Sequence, residues 1–217
     1  MKMGKANWRI LIVLIVLALS GVSGTVPALG APAAGGSAHD MVQTATDLLL
    51  KKLAEVKHLY AREPVTFYHE VESAMAPYID FDRFARGVMA KYYRRATPAE
   101  REKFRDVFKD DLIRTYAKAL VEFDNERIRV IPPAGTKPKK EDKRTVKMEV
   151  HSKNGTVYPV DYTALLRDGQ WKLINVRVNG INLGLQFKQK FGHAMGSKKG
   201  DIGQVIESWN SDVPTKT

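Results

Sequence analysis

The feature that most constrains this chain is a change in the spacing of its apolar residues at Arg127. Upstream, apolar side chains recur about every four positions; downstream they alternate with polar ones. An α-helix brings residues three and four apart onto one face, whereas a strand turns successive side chains to opposite faces. A helical half followed by a sheet half is therefore expected, which excludes both an all-helical bundle and an all-β sandwich.

The strand half is the more tightly specified. Arg127 to Val130 reads as a short first strand, ended by Pro132 and Pro133. Residues 134–144 (AGTKPKKEDKR) read as an exposed loop in which Lys139, Lys140, Lys143 and Arg144 keep the surface solvated. Val146, Met148 and Val150 then alternate with Thr145, Lys147 and Glu149, and Asn154-Gly155 supplies a hairpin turn. Tyr158, Val160, Tyr162 and Ala164 alternate along the next strand, Asp168-Gly169 is a second turn, and Trp171 to Val178 is the last strand. Two tight turns between three alternating strands predict an antiparallel meander.

Helices flank it. Val42, Ala45, Leu49, Val56 and Tyr60 share a face of a helix expected from about Asp40 to Tyr60, broken by Pro64. A second helix is expected over Val65 to Met75, and a third over Phe81 to Arg95 with Phe84, Val88 and Tyr92 at helical spacing. Thr97-Pro98-Ala99-Glu100 is a helix start with a capping box and proline in the first turn. The helix it opens places Phe104, Phe108, Leu112, Tyr116 and Leu120 on one face. After the strands, Leu183, Phe187 and Phe191 share a face, as do Ile202, Val205, Ile206 and Trp209, with Asp201 as a cap. The predicted fold class is α+β: a curved antiparallel sheet of about four strands packed against amphipathic helices, with helices N-terminal and C-terminal to the strands.

The first 30 residues stand apart. Lys2, Lys5 and Arg9 precede an unbroken apolar run from Ile10 to Leu19, and small residues lead to Ala28-Leu29-Gly30, an A-x-G cleavage site; Ala31-Pro32-Ala33 is an alternative. This is the pattern of a secretory signal peptide. A permanent anchor is the competing reading, but a spanning helix needs roughly 20 apolar residues. Residues 1–30 are thus expected to be a cleaved leader, 31–38 (APAAGGSA) a flexible linker, and 39–213 a single domain.

The formal net charge is +11, and removal of the leader leaves the chain basic. A basic surface fits an anionic partner, whether lipid headgroups, nucleic acid or an acidic protein, or a solvated surface with no partner. Export weighs against nucleic acid, and none is expected. With no cysteine, disulfides, thiolate metal sites and a lipid anchor at the cleavage point are excluded.

Chemistry-bearing motifs are missing. His39, His58, His69, His151 and His193 form no metal-spaced pair; His69-Glu70 begins an H-E-x-x-H pattern that Ser73 ends. Gly192 to Lys198 resembles a phosphate loop one position short. The carboxylate pairs Asp80/Asp82 and Asp110/Asp111 read as solvated helix termini and faces. Asp161 beside Tyr162 is the one pair that an acid–base enzyme on a curved sheet would use. No catalytic residue, metal or cofactor is expected.

From Phe84 to Ile131 the chain reads FARGVMAKYYRRATPAEREKFRDVFKDDLIRTYAKALVEFDNERIRVI. It resembles the Mla-type (toluene-tolerance) phospholipid-binding family, which has an aromatic-Arg-x-Ala-Thr-Pro-x-x-Arg pattern and then a long helix ending in Thr-Tyr-Ala-x-x-Leu. Here these are Tyr93, Arg94, Ala96, Thr97, Pro98 and Arg101, then Thr115, Tyr116, Ala117 and Leu120. Trp171, Lys172, Val178 and Gly180 match the family's Trp-Lys strand and Val-x-Gly turn. Two departures are Tyr93, where the family usually has Trp, and Ala90, where Gly is common.

The resemblance implies a periplasmic monomer whose cargo is phospholipid, shuttling between an inner-membrane ABC-type transport complex and an outer-membrane lipoprotein complex. A hopanoid-related lipid, or a protein-binding adaptor without lipid, are the alternatives. Exposing hydrocarbon costs roughly 0.8 kcal/mol per CH₂, so two acyl chains of about thirty methylenes cost on the order of 20 kcal/mol in water. A carrier must cover them. The candidate lipid-lining residues are Phe84, Val88, Phe104, Phe108, Leu112, Val146, Met148, Tyr158, Val160, Tyr162, Val178, Leu183 and Phe187. Periodicity does not distinguish a packed interior from a hollow one, and each of these also reads as plain core.

Overall fold

A computed structural model of the chain describes residues 36–122, 127–133, 142–152 and 155–209. The leader, most of the linker and the charged loop, and Asn154 lie outside the described residues.

Among the described residues, four α-helices precede the strands. Helix α1 spans Ala38–Val56 and continues as a 3₁₀ turn to Leu59. Its N-terminus is a capping box: the Asp40 N–H donates to Ser37 Oγ (3.1 Å), and the Ser37 N–H donates to the Asp40 carboxylate (2.9 Å). Residues 37 and 38, expected to close the linker, are thus cap and first turn of α1. Helix α2 spans Pro64–Met75, with the proline in the first turn, where its missing N–H does no harm. Helix α3 spans Phe81–Met89 and α4 spans Pro98–Glu122. The predicted box at α4 is formed, with the Thr97 N–H donating to Glu100 Oε2 (2.7 Å) and the Glu100 N–H to Thr97 Oγ1 (3.2 Å).

The helix expected from Phe81 to Arg95 is interrupted. Ala90 closes α3 at φ 49° and ψ −120°, a conformation that favours glycine, and a 3₁₀ turn follows to Arg94. Periodicity did not register the break because Val88 and Tyr92 keep their spacing across it.

Five strands form one antiparallel sheet in the order β1-β2-β3-β4-β5: Arg127–Val130, Lys143–His151, Val157–Arg167, Gln170–Val178 and Ile181–Asn182. The turn between β3 and β4 is the predicted one, with Asp168 (φ 51°) and Gly169 (φ 76°) both left-handed, as a type I′ hairpin requires. Asn179-Gly180 (φ 47° and 82°) repeats it and adds the two-residue β5, beyond the four strands expected.

A β-bulge bends the sheet. Thr163 pairs with Asn175 and Ala164 with Leu173, leaving Ile174 as an extra residue in β4. The insertion changes the phase of β4: Trp171 points inward before it, Val176 and Val178 after it, while Arg177 stays exposed. Unbroken alternation from Trp171 would have pushed Arg177 into the core.

After the sheet come α5 (Leu183–Ser197) and α6 (Ile202–Glu207). Helix α1 lies across β1 to β4, while α3 and α5 pack on β4. The chain entering α3 is clipped to the bulged strand, where the Asp80 N–H donates to the Leu173 carbonyl (2.9 Å). Helix α4 packs outside, against α2, α3 and α6. Among the described residues no helix is long and apolar enough to cross a membrane.

Candidate functional site

The candidate lipid-lining residues fall into two groups in space. Val146, Met148, Tyr158, Val160, Tyr162 and Val178 all project from the inner sheet face and are buried. Register aligns them: Val146 stands opposite Tyr162, Met148 opposite Val160, Val150 opposite Tyr158, and Val160 opposite Val178. The outward positions between them are Lys147, Glu149, Asp161 and Arg177. Strand alternation thus separates an apolar face from a charged one.

Among the described residues the buried positions of that face carry no ionisable group except tyrosine phenols; at its rim Arg144, opposite Ala164, lays its guanidinium over the Trp171 ring (5.4 Å). Burial away from water drives the Tyr162 phenol well above its ordinary pKa. Burial also raises Tyr78. The one buried polar residue among those described, Thr46 on α1, turns its hydroxyl back onto its own helix and donates to the Val42 carbonyl (2.6 Å). Asp161 and Tyr162, the pair an acid–base enzyme would need, sit on opposite faces of β3.

The second group is helical. Phe84, Phe104, Phe108 and Phe187 pack ring against ring: Phe84–Phe108 at 5.2 Å, Phe104–Phe108 at 5.8 Å and Phe108–Phe187 at 5.4 Å. Phe191 and Trp209 close the cluster on Phe104 at 4.9 and 5.1 Å. Edge-to-face contacts of this kind are each worth about 1 kcal/mol beyond burial. Val88 and Leu183 are buried in the same helical layer. The ring faces are occupied by one another, so this block is a packed core that joins α3, α4, α5 and α6.

Leu112 belongs to neither group. The α4 stripe begins with Phe104 and Phe108, both 0% exposed, but beyond them Leu112, Ile113 and Tyr116 are only half-buried. Helix α4 has 25 residues and outruns the aromatic block that covers its first half. Its second half is tied along α2 by the Lys109–Glu72 ion pair (2.7 Å) and by Arg114 over the Tyr68 ring (5.0 Å). The buried core is therefore continuous with a half-buried apolar stripe on the second half of α4.

The candidate lining residues include none from α1, although the helix itself was expected. Val42, Ala45, Leu49 and Leu53 are buried in the layer that covers the sheet, and Val150, Ala164, Trp171 and Val176 complete the inner face. Helical spacing had marked Val42, Ala45 and Leu49 as one face; which neighbour they cover was not readable from it.

A network of side-chain amides sets α5 on the sheet. Asn182 caps it, with Oδ1 accepting from the Leu185 N–H (3.0 Å), and Asn175 Oδ1 accepts from the Gly184 N–H (3.0 Å) while its Nδ2 donates to Asn182 (3.0 Å). A side chain at 184 would overlap Asn175, so the close approach requires glycine there.

Comparison with known proteins agrees with this architecture. The MlaC protein family profile matches residues 43–211. A toluene tolerance protein, ttg2D of Pseudomonas putida, is 38% identical over 176 residues, which is 81% of this chain and 80% of that protein. The intermembrane phospholipid transport system binding protein MlaC of Haemophilus influenzae is 24% identical over 94 residues, 43% of this chain and 44% of its own. Among solved structures, the phospholipid-binding protein of Ralstonia solanacearum in complex with a phospholipid superposes with a TM-score of 0.71 at 26% identity, covering 79% of this chain and 94% of that one. A family match over most of the chain, on the same helix–sheet–helix frame, makes this protein a member of the MlaC family.

Proposed function

We propose that this protein is a periplasmic phospholipid carrier that shelters acyl chains between the inner sheet face and the overlying helices. The observation that carries the reading is the apolar character of the buried positions on the inner sheet face, continuous through the core with the half-buried stripe of α4. Hydrocarbon needs a surface without charge or unpaired polar groups, and a route in that stays apolar. Val146, Met148, Tyr158, Val160, Tyr162 and Val178 line the tails in this reading, and Leu112 marks the entrance. Phe84, Phe104, Phe108 and Phe187 form the closed end. The phospholipid bound in the Ralstonia relative supports the same cargo class.

The wider role follows from the family. An export leader over 1–30 delivers one lipid-binding domain, 39–213, to the periplasm. There it works as a monomer between an inner-membrane ABC-type complex and an outer-membrane lipoprotein complex. No step requires bond breaking, only transfer of the cargo from one apolar environment to another.

Native mass spectrometry of the purified protein tests the carrier reading. The expected result is a mass excess of one or more phospholipids that disappears under denaturing conditions and reappears as extractable lipid. A bare polypeptide mass, together with failure to take up lipid from vesicles, overturns it.

A further inference from the structure

The turn that follows α3 gathers cations around two tyrosines. Lys91 Nζ and the Arg95 guanidinium lie 5.1 and 5.9 Å from the centroid of the Tyr92 ring. Arg86 and Arg101 lie 5.2 and 4.5 Å from that of Tyr93, and Arg101 Nε also donates to the Tyr93 carbonyl (2.9 Å). Arg94 stands exposed between them. The α5–α6 turn adds exposed Lys199, and Gly200 beside it packs on Arg95, whose Nη2 lies 3.6 Å from where a Cβ would be.

Several cations on the neighbouring helices find acids: Arg105 meets Asp82, Glu102 and Asp106, Lys109 meets Glu72, and Lys52 meets Glu55 and Glu70. Among the described residues none of these six does. The two carboxylates within the same segments are already used as helix caps. Glu100 accepts from the N–H and hydroxyl of Thr97, and Asp201 accepts from the N–H and side chain of Gln204. Like charges held together without counter-charge repel, and the faces of Tyr92 and Tyr93 offset only part of that. The arrangement is adverse for the free protein and favourable against a negative surface.

We propose that this face is an electrostatic docking surface for anionic phospholipid membranes. The proposal rests on the carrier reading for its purpose but not for its physics. Two half-exposed tyrosines ringed by long Lys and Arg side chains have the composition of a membrane interface, where aromatic rings sit among headgroups and basic side chains reach phosphates. The cations spread around two rings and a turn, with no buried polar side chain to frame a single ligand, and so suit a sheet of headgroups better than one acidic side chain.

The test is co-sedimentation of the full chain with vesicles of neutral phosphatidylcholine, and with vesicles that also contain phosphatidylglycerol, at low and high salt. Binding is expected only with the anionic lipid and should be lost at high salt. Arg94→Gln with Lys199→Gln removes two exposed charges without touching a described contact. It should weaken binding on the order of thirty-fold, at about 1 kcal/mol per basic residue. Lys147→Gln with Arg177→Gln removes the same charge from the outer sheet face and should change binding less than about twofold. Equal losses from the two variants, or no anionic-vesicle binding at low salt, overturns the proposal. Binding to poly-glutamate without binding to vesicles also overturns it and reassigns the surface to an acidic protein. Native mass spectrometry of the same preparations separates the two readings. A lipid-loaded protein that ignores vesicles sinks only the docking surface, and an empty protein that binds them sinks only the carrier.

Discussion

Replacing Ala90 by glycine should make the protein more stable. Ala90 closes α3 at φ 49° and ψ −120°, where a Cβ collides with the flanking peptide groups, while its N–H still donates to the Arg86 carbonyl. Strain of this kind is worth about 1–3 kcal/mol. Glycine removes it but returns roughly 0.4–1 kcal/mol of entropy to the unfolded chain. The net gain is on the order of 1–2 kcal/mol, or about 3–6 °C in Tm for a domain of this size. The assay is urea unfolding of delipidated protein followed by circular dichroism, because bound lipid would add its own linkage. The midpoint should rise with no change in m. Gly87, one turn earlier and open on all sides where a Cβ would go, is the reciprocal control. There Gly→Ala should stabilise by about 1 kcal/mol because the position is ordinary helix. Ala90→Val should destabilise. An unchanged or lower midpoint for Ala90→Gly would refute the reasoning and mean that α3 runs on through position 90, as its periodicity alone suggests.

Three further outcomes follow from the same structure. Gly184→Ala should cost about 2–4 kcal/mol, because the added methyl overlaps Asn175 and breaks the amide network that seats α5; denaturant titration reads it. Leu112→Glu places a charge at the entrance of the proposed tail site without opening the aromatic block. Lipid retained per protein should fall roughly tenfold while the fold persists, and unchanged loading by mass spectrometry would remove Leu112 from the route. Hydrogen bonds from Ser37 hold the Asp40 carboxyl below its ordinary value, so its contribution is present above the unfolded pKa and lost as pH falls through the folded one. Below about pH 4 the start of α1 should fray, and Asp40→Asn should flatten that part of the stability–pH curve.

How much was legible beforehand varies with the range of the interaction involved. The capping box at Thr97/Glu100 involves residues three apart and was read from the string, whereas the one at Ser37/Asp40, just as local, was hidden because Ser37 ends a small-residue run that reads as linker. The Asn179-Gly180 hairpin was equally local, and its dipeptide stood between Val178 and Ile181 as a turn signal. The bulge at Ile174 left a weaker trace, since Val176 and Val178 are out of phase with Trp171 by one residue. The candidate site was the hardest part. Phe108 and Val160 are equally apolar and equally buried, yet one is enclosed by rings from α3, α4, α5 and Trp209 just beyond α6, and the other faces the layer under α1.

The order of helices and strands, the positions of most turns and caps, and the sorting of each element into an apolar and a polar face were decided by the chain itself. Each follows from backbone geometry and neighbours within a few residues. Tertiary structure alone decided which apolar faces meet. It sealed Phe104 and Phe108 against Phe187, Phe191 and Trp209, left Leu112 and Tyr116 half-covered on the same stripe, and brought Gly200 to Arg95 across a hundred residues of chain. The hydrophobic effect supplies the reason: it rewards burial without specifying a partner, so only the three-dimensional path of the chain determines what each buried surface touches.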